Sequence, residues 1–156
     1  MYLDKDTFTK VIASTPLIAI DLIIVNEKNE ILLGKRLNQP AKGFWFVPGG
    51  RILKNETLDN AFRRLTLSEL GVEKELKHAK LMGVFEHFYQ ESVYSDQAST
   101  HYVNVAHTIQ INEKELTSLP IGEQHGHYQW HTMDYIKKSP EVHKYTKAYL
   151  PYLIEN

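Results

Sequence analysis

The chain has no cysteine among its 156 residues, so disulfides, zinc-cysteine sites and thiol nucleophiles are all excluded, in keeping with a reducing cytosol. It lacks an apolar run of the length a membrane helix needs, and its first ten residues hold Asp4, Lys5 and Asp6 where a signal peptide would be apolar. A cytoplasmic protein without membrane contact is expected. Neither sign of charge is in excess: 18 Lys and Arg against 19 Asp and Glu leave a net charge of -1, and no basic run is interleaved with aromatics. That removes the electrostatic footprint of a nucleic-acid binder. Internal repeats, low-complexity tracts and linkers are also missing. At 42% hydrophobic and 24% charged residues, the chain reads as one soluble domain, residues 1–156, with room for a real core.

What is present is a set of short periodic segments. Ile18 to Val25 is a β-branched apolar run, and Asn26-Glu27-Lys28-Asn29 separates it from a second run, Glu30 to Gly34, which predicts a hairpin. Trp45 to Val47 predicts a short strand ending in Pro48-Gly49-Gly50, where two glycines let the backbone approach a ligand or ion closely. Leu58, Ala61, Phe62 and Leu65 recur at helical spacing across Thr57 to Leu70, and Gly71 is a suitable stop. Lys80 to Tyr89 and His101 to Ile111 predict two longer strands, joined by a polar loop around Glu91 to Ser99 that could gate a site. Tyr128 to His131 predicts a short strand. A last helix is expected from Pro140, with Val142, Tyr145, Ala148, Tyr149 and Tyr152 facing inward. Together these predict an α/β/α sandwich around a mixed sheet.

The chemistry centres on Gly49-Gly50-Arg51. Five residues separate Gly50 from Glu56, seven more lead to Arg64, and Glu69 and Gly71 follow. This is the outline of a Nudix box with its carboxylates thinned out: Leu65, Thr66 and Ser68 stand where that motif has an acid, an aliphatic and a second acid. Only Glu69 remains of the helical acid cluster. Such a cluster holds divalent ions around a diphosphate, and Mg²⁺ with oxygen ligands stabilises charge on a departing oxygen. One helical carboxylate with neutral oxygens can hold one such ion but not easily three. Metal activation of water at phosphorus is thereby weakened, while a nucleoside diphosphate remains a plausible leaving group, which predicts attack elsewhere on the substrate.

Each candidate residue has a plainer reading beside the functional one. Glu69 shares a helix face with apolar residues, so it is either buried in an ion pair with Arg64 or Arg51 or is a metal ligand. Asp21 interrupts a run of aliphatics and needs a partner, structural or a sugar hydroxyl. Arg36 and Arg51 flank the glycine turn and can fork onto phosphate oxygens, or simply be solvated. His125, in the predicted loop Glu123-Gln124-His125-Gly126-His127, is placed as a base with access to water. A zinc site on His125 and His127 is the rival, without an evident third ligand.

The stretches Leu33-Gly34-Lys35-Arg36, Trp45-Phe46-Val47-Pro48-Gly49-Gly50-Arg51, Arg64-Leu65-Thr66, Thr100-His101-Tyr102-Val103 and Glu123-Gln124-His125 resemble the GDP-mannose mannosyl hydrolases, a branch of the Nudix hydrolases. The likeness runs from about Tyr2 to the last helix. It implies a Nudix fold and hydrolysis of a GDP-hexose, GDP-mannose and GDP-glucose among them, to GDP and free hexose, with inversion at the anomeric carbon. By matching positions it implies one Mg²⁺ on the Gly49 carbonyl, Glu69 and Gln124, with His125 as general base. Arg36, Arg51 and Tyr102 would hold the diphosphate and Asp21 the sugar. It further implies a homodimer with Tyr2, Leu3 and Phe8 as candidate guanine contacts. Two other classes stay open: a phosphorus-attacking pyrophosphohydrolase using Glu86 or Glu91 as an extra acid, and a non-catalytic nucleotide-sugar sensor.

Overall fold

The structure, a computed structural model, describes residues 2–90, 98–116, 119 and 125–153, the side chains of His125 and Gly126 excepted. Its elements are α1 (Lys5–Ser14), β1 (Leu17–Val25), β2 (Glu30–Arg36), β3 (Trp45–Phe46), β4 (Gly49–Arg51), α2 (Leu58–Leu70), β5 (Lys80–Tyr89), β6 (Thr100–Gln110), β7 (His125–Thr132), α3 (Met133–Lys138) and α4 (Lys144–Lys147). The seven strands form one mixed sheet in the order β3-β2-β1-β6-β5, with β4 paired to β1 and β7 to β2. Helices cover both faces. This is the α/β/α sandwich of the Nudix fold.

β1 is the axis of the molecule. Along one edge it pairs in parallel with β6 from Leu17↔Tyr102 to Val25↔Gln110. Its other edge is shared: β4 takes Ala19, Ile20 and Asp21, and β2 meets it at Val25↔Ile31. The period-two alternation of β1 then sorts its side chains. Ile20, Leu22 and Ile24 pack with Phe62, Leu65 and Leu70 of α2, while Ile23 and Val25 pack on the opposite face with Phe46, Ile136, Val142 and Tyr149. Asp21 lies on that second face.

The turn between β1 and β2 forms as expected, because Asn26 Oδ1 accepts from the amides of Lys28 and Glu30 at 3.0 and 2.8 Å and Asn29 takes φ 58°. The box helix begins at its cap, Thr57, which accepts from the Asn60 amide at 3.1 Å, and stops at Gly71 with φ 77°. At the glycine turn a β-carbon on Gly49 would lie 2.3 Å from the Ile20 carbonyl oxygen, and one on Gly50 would lie 2.5 Å from Leu65 Cδ2. The two glycines let β4 lie flat between β1 and the helix.

Three segments differ from the sequence reading. Residues 5–14 form a helix where none was expected. His125 is not in a loop: its backbone opens β7 opposite Arg36, and β7 is twice as long as the predicted Tyr128 to His131. No helix starts at Pro140. Val142 makes a bridge to Trp45, helix begins only at Lys144, and Pro151 sits in a closing 3₁₀ turn. Val142 and Tyr149 are buried as expected, Tyr145 is half-buried, and Ala148 and Tyr152 are exposed.

Candidate active site

The fork where β4 and β2 part along β1 opens into a cavity of about 460 Å³, within the range of small-molecule sites. Eight of the candidate residues line it: Tyr2, Phe8, Asp21, Arg36, Gly49, Arg51, Glu69 and Tyr102. Leu3 is half-buried and does not line it. Gln124 and Glu91 lie outside the described residues, as do 91–97 of the proposed gating loop and the side chain of His125.

Two carboxylates enter the cavity. Asp21, 7% exposed, accepts a hydrogen bond from the Tyr149 hydroxyl on Oδ2, and burial pushes its carboxyl up to about 7 against the pull of that bond and of Arg36. Glu69 projects from α2, 8% exposed, and accepts from the Tyr128 hydroxyl at 2.8 Å. Burial raises it too, with Tyr128 and Arg36 acting the other way. The ion pair expected as its plainer reading is not formed: Arg64 is committed to Glu56 through Nε and Nη2 at 2.6 and 2.9 Å and to the Arg51 carbonyl at 2.9 Å. That bidentate pair ties the loop after β4 to α2 and holds Glu56 below the usual carboxylate range.

Arg36 ends β2, and its Nε donates to the Pro40 carbonyl at 2.7 Å, which aims the guanidinium back at the cavity. It favours the ionised form of both carboxylates and of Tyr102. Arg51, at the end of β4, lies over the Phe8 ring of α1 at 4.5 Å, so the N-terminal helix and the glycine turn form one wall. Tyr102 on β6 is half-buried, and desolvation holds its phenol above the ordinary value. Leu65 and Ser68, which stand where the box has acids, both line the same cavity. Glu86 does not: it is exposed on β5 and pairs with His101 at 3.4 Å.

The sequence reading missed the polar residues behind Asp21. His87, Tyr89, Thr100 and Asn104 also line the cavity, from β5 and β6. Burial depresses the His87 imidazole to about 3, so it is neutral. Their period-two spacing on long strands was the available signal.

For a divalent ion the chemistry of the donor set is the test. Among the described residues no three acids or histidines stand together as a metal cluster. Glu69 and the Gly49 backbone carbonyl are oxygen-only donors in the cavity wall, the kind a hard divalent cation such as Mg²⁺ takes, so the residues fit such an ion.

Residues 15–153 match the NUDIX domain family, and the chain belongs to it. It is 36% identical over 143 residues to the low-salt glycan biosynthesis protein Agl8 of Haloferax volcanii, covering 92% of this chain and 88% of that one. A shorter stretch of 70 residues is 40% identical to the ADP-ribose pyrophosphatase of Methanocaldococcus jannaschii, covering 45% of this chain and 40% of that one. Among solved structures, the MutT NUDIX hydrolase of Burkholderia pseudomallei superposes with a TM-score of 0.70 at 24% identity over 90% of this chain and 99% of that one. The NUDIX domain of Shewanella oneidensis NrtR, in a cocrystal with ADP ribose, gives 0.68 at 16% over 98% and 92%. No described helix is long and apolar enough to cross a membrane.

Proposed function

We propose that this Nudix protein hydrolyses a GDP-hexose, GDP-mannose foremost, to GDP and free hexose by attack of water at the anomeric carbon. The observation that carries the reading is the replacement of the helical acids: Leu65 and Ser68 line the cavity beside Glu69, where activation of water at phosphorus needs further carboxylates. A relative named for glycan biosynthesis agrees with a sugar-bearing substrate.

Arg36 and Arg51 fork onto the diphosphate, and Tyr102 donates to it. Asp21 receives the sugar. Glu69, the Gly49 carbonyl and Gln124 are the residues that would hold Mg²⁺, which when bound offsets the charge of the leaving diphosphate. His125, whose backbone pairs with Arg36 across β2 and β7, takes a proton from water as its oxygen bonds to the anomeric carbon. The bond from that carbon to the diphosphate oxygen breaks, its electron pair leaves with GDP, and the configuration inverts. Phe8 and Tyr2 at the α1 wall, with Leu3 beside them, meet the guanine. We further propose one domain spanning residues 1–156, a cytoplasmic homodimer, and neither nucleic acid nor membrane as a partner.

The test is hydrolysis of GDP-mannose in ¹⁸O-labelled water with mass spectrometry of both products. Label is expected in the hexose alone. Label in a phosphate, or the release of GMP with a sugar phosphate, would return the protein to phosphorus-attacking chemistry, and no turnover would leave a nucleotide-sugar sensor.

A further inference from the structure

Three buried polar side chains, His87 and Asn104 in the cavity wall and Tyr149 behind it, lead to Asp21 from one side. The Asn104 amide nitrogen lies against His87 Nδ1, and His87 Nε2 lies 3.4 Å from the Tyr149 hydroxyl, which donates to Asp21 Oδ2. An amide nitrogen can only donate, so His87 Nδ1 is the acceptor and the proton of the neutral ring sits on Nε2. The hydroxyl thus receives from His87 and gives to Asp21. The other carboxylate oxygen, Oδ1, lies on the Gly49 side, 3.0 Å from where a β-carbon of that glycine would stand. Tyr149 is 1% exposed, lies edge-on to Phe85 at 4.8 Å and does not line the cavity.

We infer that Tyr149 is a positioning residue: fed by the Nε2–H tautomer of His87 that Asn104 enforces, it turns Asp21 so that Oδ1 faces the sugar of the substrate. Resting on the preceding reading for the identity of that substrate, the inference itself concerns the direction of the hydrogen-bond chain. Reversing the chain has a defined chemical meaning. A carboxylate at position 104 accepts where the amide donated, which moves the ring proton to Nδ1 and leaves Nε2 to compete with Asp21 for the Tyr149 proton.

The experiment has a ligand-free arm and a kinetic arm, with Tyr149→Phe, Asn104→Asp and Tyr145→Phe. Tyr145 is the control because its ring stacks on His87 at 4.2 Å while its hydroxyl, among the described residues, bonds to the Phe88 backbone. In the first arm, long-range ¹H–¹⁵N spectra should show His87 as Nε2–H in wild type and as Nδ1–H in Asn104→Asp. The Asp21 carboxyl ¹³C resonance should move in Tyr149→Phe and Asn104→Asp and stay put in Tyr145→Phe. In the second arm, Tyr149→Phe should lower kcat/KM for the nucleotide sugar by roughly 10- to 100-fold, as supporting groups behind a ligating residue do. Inhibition by GDP should be unchanged, because GDP lacks the hexose that Asp21 receives. A His87 found as Nδ1–H in wild type, an unmoved Asp21 resonance, or a loss of GDP binding equal to the loss of substrate binding would each overturn the proposal. If wild type turns over no nucleotide sugar, the functional reading falls and the ligand-free arm still decides the chain's direction.

Discussion

At the scale of single residues, the site holds its two carboxylates under tension between burial and pairing. Glu69 has given up most of its water and has Tyr128 in exchange, with the Arg36 charge favouring its ionised form. Glu69→Gln keeps an acceptor for Tyr128 and removes a buried charge, so the fold should be at least as stable, as calorimetric unfolding would register. The same change replaces a charged oxygen ligand by an amide and should abolish most Mg²⁺-dependent turnover. A variant that unfolds, or one equally active at limiting Mg²⁺, would make Glu69 a structural residue. Asp21 stood out in sequence because a lone acid among aliphatics must find a partner, but that partner, Tyr149, comes from a segment 128 positions away. No local pattern announces such a bond.

At the scale of elements, what was legible followed from periodicity and what was not followed from tertiary pairing. The box helix carries a strong 3.6-residue repeat of apolar residues, β5 is a run rich in apolar and aromatic residues, and both appear where expected. The start of β7, rich in His and Gly, becomes strand only because β2 offers it a ladder. The segment after Pro140 has helical spacing, yet the amides of Trp45 and His143 each find a carbonyl across that junction, at Glu141 and Trp45, and hold it extended. α1 was missed for the opposite reason: it buries only Ile12 and so shows little apolar face. It depends on its cap, where Asp4 accepts from the Thr7 amide at 2.9 Å and the Thr7 hydroxyl at 3.0 Å. Asp4→Ala should therefore raise amide exchange several-fold within residues 5–14 while leaving β1 and β6 protected. Since Phe8 and Ile12 line the cavity, KM should rise with it. Exchange that increases evenly over the sheet would show α1 to be part of the global unit.

At the scale of the molecule, buried neutral histidines set the response to acid. Burial depresses His87 to about 3 and His143 to about 4, from an ordinary 6.5, with His107 and His131 lowered as well. Between those values and 6.5 the unfolded chain binds protons that the folded chain refuses, so this contribution to stability is lost as pH falls. Asp21 has the opposite sign: from 3.8 to about 7 the folded state holds a proton that the unfolded state releases, which favours folding at the acid end of that window. Two strongly shifted histidines outweigh one aspartate, so unfolding takes up protons on balance and Tm should be lower at about pH 5 than at about pH 7. A Tm that climbs on acidification would place Asp21 in control. The parallel ladder from Leu17↔Tyr102 to Val25↔Gln110 carries a kinetic consequence. Its strands lie more than eighty positions apart, and the floor of the cavity, Asp21 with Tyr102 and Asn104, exists only once that long loop has closed. If this closure comes late in folding, a molecule that fills the cavity meets a finished site, and should lengthen the lifetime of the folded chain without hastening its formation.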